Sequence, residues 1–192
     1  MNPITHFLTG WAVAQSDTLS KRERLLVTVA CVIPDIDAFG IIAEILTRDS
    51  ENPLLWWSQY HHMLTHNIGF GILVTVISYA LAKKRWLTAV IVFASFHLHL
   101  LGDLIGARGP DGYAWPIPYL RPFSDSWQWV WSGQWELNAW PNIVITLALL
   151  AAAFYFAVHR GYSPLEFISG RADKAFVQTL RNRFGSKTHA GN

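Results

Sequence analysis

Residues 86–105 form an apolar run that ends in Phe96-His97-Leu98-His99-Leu100-Leu101-Gly102-Asp103. At about 1.5 Å per residue, a helix of that length crosses most of a bilayer. Backbone at such depth must be satisfied within the protein, and a lone charged side chain there costs several kcal/mol. His99 and Asp103 are four residues apart, so a helix places both on one face. Imidazole beside carboxylate on one face is either a hydrogen-bonded pair or part of a metal site, and the rest of the chain must decide between them.

That remainder has the same membrane character. Only 15% of the 192 residues are charged, against roughly 25% in ordinary soluble domains. Most of the ten tryptophans flank the apolar runs, as an interfacial aromatic belt does. The expected fold is all-α. It is an integral membrane helical bundle with about four to five apolar helices, some half-length, plus an amphipathic C-terminal helix. A formal charge of +2 offers no nucleic-acid footprint. One cysteine, Cys31, excludes an internal disulfide and an all-cysteine metal site. The N-terminal Met-Asn-Pro-Ile-Thr-His lacks the basic region of a signal peptide and is expected to be retained.

Proline and charge punctuate the chain. Residues 3–15 are a short apolar segment with Pro3 suited to a first helical turn. Pro34 ends or kinks the next run, leaving half-length helices at 25–33 and 38–46 and a loop over 47–60. Spans are expected at 67–82 and 86–105, parted by Lys83-Lys84-Arg85, and at 140–159 beyond a long Pro-, Gly- and Trp-rich loop. The membrane domain is therefore 1–159, with 160–192 a basic tail. In that tail Ser163-Pro164-Leu165-Glu166 has capping-box spacing. Ala172, Phe176, Val177, Leu180 and Phe184 then recur as on an interfacial amphipathic helix.

Charge also predicts topology. Segments 16–24, 83–85 and 160–192 hold three, three and six of the 15 Lys and Arg residues. By the positive-inside rule these face the cytoplasm, together with the C-terminus. The opposite face then gathers His6, Asp35, Asp37, His61, His62, His66, His99 and Asp103 from four segments. A shared divalent metal would neutralise such carboxylates and satisfy the group. Mixed nitrogen and oxygen ligation suits zinc, manganese or iron, as one ion or two. With more donors than one tetrahedral ion needs, either two ions share an aspartate or some residues orient the ligands. His61 and His66 converge only if His61 precedes a helix and His66 lies in its first turn. His97 faces away from His99 and reads as a structural hydrogen-bonding residue. His159 and His189 fall at the cytoplasmic side. Glu44, Glu51, Asp111 and Asp125 have no spacing that singles them out.

Thr5-His6, Pro34-Asp35-Ile36-Asp37, His61-His62-Met63-Leu64-Thr65-His66-Asn67 and His99-Leu100-Leu101-Gly102-Asp103, in this order, resemble the YdjM family of membrane-bound, metal-dependent hydrolases. Gly106 and the Trp115-Pro116 or Arg121-Pro122-Phe123-Ser124 segment resemble the family's pattern after the last aspartate, so the likeness covers about residues 4–124. It implies a metal-ligand role for His6, Asp35, Asp37, His61, His66, His99 and Asp103. The family is itself similar to zinc-dependent phospholipase C and P1-type nucleases, which points to zinc first. This chain departs from the pattern where His62-Met63 stands for Arg-Gly and Asn67 for Ser. The missing arginine was a natural phosphate clamp, a role left to Arg108 or Arg121. The likeness implies hydrolysis of phosphate-ester or lipid-like substrates at the non-cytoplasmic face of the inner membrane. One of the paired aspartates, Asp35 or Asp37, or His62 would act as acid or base. The rival expectation is a non-enzymatic membrane protein holding a structural or transported metal ion.

Overall fold

The computed structural model describes residues 1–109 and 112–184, and the described chain is helical with two isolated β-bridges. The helices are α1 (Pro3–Val13), α2 (Lys21–Ala30), α3 (Gly40–Thr47), α4 (Trp56–Tyr60), α5 (Ile68–Leu81), α6 (Arg85–Gly106), α7 (Trp140–Arg160) and α8 (Gly170–Phe184). Short 3₁₀ helices occupy Ile33–Phe39 and Pro164–Phe167. Asp111 and His189 lie outside the described residues.

α6 and α7 are long and apolar enough to cross a bilayer. α2 together with the Ile33–Thr47 stretch makes a third candidate span, bent by 55° across Cys31 and Val32, just ahead of Pro34. α5 is apolar but only 14 residues long. α6 is the central helix: α1, α2 and α5 all pack on it, and α1 also packs on α7. Its buried face carries Val92, Ser95, Phe96, His99, Leu100 and Asp103. Exposed Ile72, Leu73, Val76, Val90, Ile143, Val144 and Leu147 lie on α5–α7, the signature of helices whose outer faces meet lipid.

Close approach of α1 to α2 depends on Gly10, where a Cβ would fall 2.6 Å from the Cys31 Cβ and 2.8 Å from the Thr28 carbonyl oxygen. Small residues let membrane helices come this near. The last turn of α6 is closed from outside. Asn142 Nδ2 donates to the carbonyls of Gly106, Glu136 and Leu137, and its Oδ1 accepts from the Trp135 indole. The long loop is thereby pinned across the end of the bundle.

Three local expectations change. α2 begins at Lys21, because Ser20 and Glu23 form a capping box one turn ahead of the apolar run. The 47–60 segment contains α4. Ser163 and Glu166 do not cap each other. Ser163 Oγ donates to Asp173 and accepts from Leu165 N–H, while Glu166 forms a bidentate pair with Arg24 at 3.0 and 2.6 Å. α8 turns Val177 and Leu180 onto Ala157 of α7, while Ala172 and Phe184 stay exposed. Its apolar stripe is thus spent partly on the bundle itself.

Candidate metal centre

Every site segment ends or breaks at the same end of the bundle, and each break has a local cause. Pro34 switches the chain into a 3₁₀ turn, which lets Asp35 and Asp37 both face inward. Asn67 caps α5 by accepting from Phe70 N–H, so residues 61–66 stay outside the helix and cross above it. His66 therefore precedes α5 instead of lying in its first turn. His62 sits at φ 67°, a conformation that turns the chain back toward the core. Thr65 is buried and donates to the Pro34 carbonyl, tying the histidine loop to the 3₁₀ turn. Gly102 leaves room for His6, whose Cε1 would lie 3.0 Å from a Cβ there.

Four atoms from three of these segments converge. His66 Nε2 and His99 Nε2 are 3.1 Å apart. Asp103 Oδ2 lies 3.4 Å from the first and 3.0 Å from the second. Asp35 Oδ1 lies 3.8 and 3.6 Å from the same two nitrogens. A tetrahedral ion with bonds of about 2.0–2.1 Å holds its ligand atoms roughly 3.3 Å apart. The five separations bracket that value.

The tautomers agree with the distances. His99 Nδ1 is 3.0 Å from the Cys31 carbonyl and must donate to it. His66 Nδ1 faces Asp37 Oδ2 at 3.4 Å, which favours a proton there. In their neutral forms both Nε2 atoms then present lone pairs to each other and to two carboxylates. With both rings neutral the four acceptors have no donor among them, so the group needs positive charge, supplied by a proton on His66 in the metal-free protein or by a bound cation in its place. Asp103 Oδ2, which belongs to the four, is buried without a hydrogen-bond partner among the described residues, as are Asp35 Oδ2 and Asp37 Oδ2 beside it. Burial alone would lower the His66 imidazole, but Asp103, Asp35 and Asp37 hold it well above its ordinary value. The pocket draws positive charge to this point, and the donor set fits a divalent ion of the zinc, manganese or iron type.

The other expected residues divide around this centre. Asp37 lies beyond the His66 ring and accepts from His61 Nδ1 at 2.8 Å, so both orient ligands from outside the central four. His6 Nε2 is 3.0 Å from Asp103 Oδ1, and the Met1 amino group contacts the same oxygen. His6, Asp35 and His99 also form a group of donor atoms within 4.8 Å of one another, but His99 has only its Nε2 to offer, so this group is an alternative to the central four and not a second site beside it. His62 Nε2 is 3.9 Å from Asp103 Oδ2, and its Nδ1 has no partner among the described residues. Burial, then the neighbouring His66, keeps the His62 imidazole well below its ordinary value. One of its nitrogens also lies within 4.8 Å of donor atoms of Asp35, His66 and Asp103, so it stands among the groups able to hold an ion.

A cavity of about 220 Å³ reaches the centre along Asp35, His61, His62, Asp103, Trp57 and Arg108. It shares Trp57, His61, His62 and Trp115 with a wider cavity of about 410 Å³. Trp115 packs edge-on against both His61 and His62. Arg108 is half-buried at this cavity and donates to the Ser132 carbonyl. Arg121 is not brought to the centre. It pairs with Asp125 and lines a separate cavity with Leu64, Phe70 and Leu73. His97 bonds the Phe93 carbonyl and the Tyr119 hydroxyl, the structural part read for it from sequence. His159 lies near the other end of α7, bonded to the Tyr155 carbonyl, and Glu44 holds Ser58.

Sequence reasoning missed the parts contributed by backbone and long-range contact. The Cys31 carbonyl fixes His99, and Gln134 holds the Asp103 carbonyl from the long loop at 2.8 Å. Neither carries a sequence signal of its own.

Fold and site together define a class: a helical membrane protein with a buried histidine–aspartate centre at one end of its bundle, able to hold a metal ion. The profile of the YdjM inner membrane protein family matches residues 1–169, and the chain belongs to that family. No curated protein and no solved structure matches it.

Proposed function

We propose that this protein is a metal-dependent hydrolase of phosphate-ester or lipid-like substrates, with zinc as the first choice of ion. The observation that carries the reading is the convergence of four acceptor atoms at ligand spacing, beside an accessible cavity. A merely structural ion has no need of that opening. A bound divalent ion there supplies a nucleophile from water at neutral pH and a Lewis acid for the scissile oxygen.

The chain's own residues would do the rest. Asp35, His66, His99 and Asp103 hold the ion, while Asp37 and the Cys31 carbonyl lock the ring orientations. His62, neutral and facing both cavities, takes the proton released when the water oxygen bonds to phosphorus. It returns that proton to the leaving alcohol oxygen as the ester P–O bond breaks. Arg108 stands at the cavity wall to meet a phosphoryl oxygen. Transport is the weaker alternative. Towards the other end the core between α1, α2 and α6 is built on Ala14, Leu19, Val27, Ala30 and Val92. The buried polar side chains beside them, Thr28, Ser95 and Thr88, are uncharged hydroxyls and not the carboxylates or imidazoles that would relay a divalent ion.

The test pairs metal content with turnover of bis(p-nitrophenyl) phosphate by detergent-purified protein. Near-stoichiometric metal is expected in wild type and its loss in a folded His99→Ala, Asp103→Ala double variant. His62→Ala is expected to keep the metal and lose turnover at least 100-fold. Metal without turnover in wild type on any phosphate or carboxylic ester tried would leave a structural centre instead.

A further inference from the structure

On the side of the centre away from the tryptophan-walled cavities, an apolar groove of about 480 Å³ runs between α1, α2 and the 3₁₀–α3 stretch. Its walls include Phe7, Val29, Ile33, Ile36, Phe39 and Ile41, and its one charged residue is Asp35. The groove shares Pro3, Asp35 and Ala38 with the cavity at the metal centre. That cavity in turn shares His61 and His62 with the wider one beyond. Three neighbouring spaces that share walls therefore lie in order: apolar groove, centre, and aromatic cavity with Ser58, Gln59 and Gln128 on its walls. Ile36, Phe39 and Ile41 are also exposed on the bent candidate span, so the groove opens onto the apolar outer face of that span.

Resting on the hydrolase reading above, we infer that the substrate is a membrane phospholipid bound across these three spaces. Its acyl chain fills the groove, its phosphoester lies at Asp35 and His62, and its head group enters the aromatic cavity. Groove chemistry selects the occupant. A peptide would need polar partners for its backbone, and these walls provide a single carboxylate. Lipid tails are present at that depth at the highest concentration of any apolar ligand.

The test uses full-length protein in liposomes containing a phosphatidylglycerol with a diazirine near the end of one acyl chain. After irradiation, cross-links are mapped by mass spectrometry, and each variant is analysed for metal. Expected adducts concentrate on the inward wall residues Phe7, Val32 and Ile33 over the outward belt of α5 and α7. Val29→Trp and Ile41→Trp, which fill the groove from different walls, are each expected to cut those adducts at least fivefold. Metal content and adducts on the belt should stay unchanged. Adducts spread evenly over groove and belt, or groove adducts indifferent to both tryptophans, would overturn the proposal. Groove adducts that respond to both tryptophans, in a protein that turns over no ester, would keep the lipid site and remove the hydrolase. The two failures are therefore distinguishable.

Discussion

At the scale of single residues, the centre separates side chains that hold charge from those that aim them. Asp37 is the informative case. It contacts His61 and His66 at their Nδ1 atoms and does not join the central four. Asp37→Asn keeps the shape and a possible acceptor but weakens the anchoring of both rings. Metal affinity should fall roughly 10–100-fold with stoichiometry retained at saturation. Competition against a chromophoric chelator measures it, and outright loss of the ion would make Asp37 a ligand. His66 permits a second prediction. Its imidazole is held well above the ordinary value by three carboxylates, so at neutral pH the metal-free protein carries a proton there. A metal must displace that proton. Uptake is expected to release protons into weak buffer, and apparent affinity should fall as pH drops from about 8 to 6. Calorimetry in two buffers of different ionisation enthalpy reads the release directly. An equal heat in both would place the ion elsewhere.

At the scale of elements, what could be read from sequence depended on how local the cause was. The spans of α5, α6 and α7 were legible to within a residue or two because uninterrupted apolar composition is a local property. His99 and Asp103 were legible as a pair because helical spacing alone sets them on one face. The sequence misplaces the start of α2: Ser20 and Glu23 carry a capping signal, but the basic residues around them make the segment look like a polar turn ahead of a helix at 25. The partition among the remaining site residues was not legible. Whether Asp35 or Asp37 enters the centre depends on a 3₁₀ turn, and which way His62 points depends on a positive φ. Glu166 abandoned its box because Arg24, 142 residues away in sequence, offers a stronger partner. Nothing near Gly10 announces its role either. That glycine sets the distance between α1 and α2, so Gly10→Ala must force α1 outward against the Thr28 backbone. The cost should be about 1–3 kcal/mol, seen as a lower unfolding temperature in detergent. α1 carries His6, whereas the four central ligands belong to other elements. The variant is therefore expected to keep its metal ion, and losing the metal would place His6 among the ligands.

At the scale of the whole molecule, the two ends of the bundle have opposite chemistry. One holds the histidine–aspartate cluster able to bind a metal and the tryptophan-rich loop. The other gathers the basic segments into one surface. The backbone N–H of Lys84 donates to Glu23, Arg24 pairs with Glu166, and Arg160 pairs with Asp17. These contacts join the 16–24 turn, the 83–85 turn and the 160–184 tail. Charge statistics from separate stretches of sequence thus correspond to a single face in space, which strengthens their use as a topology signal. We expect that face in the cytoplasm and the metal centre at the opposite surface of the inner membrane. Cys31 is buried, so single cysteines introduced at exposed positions report without background. In intact cells a membrane-impermeant maleimide should label Tyr113→Cys, on the long loop, and leave Lys83→Cys untouched until the membrane is opened. Labelling of Lys83→Cys alone would invert the protein. The centre would then draw its metal and its substrate from the cytoplasm and the inner leaflet, and the groove beside Asp35 would sample that leaflet's lipids instead.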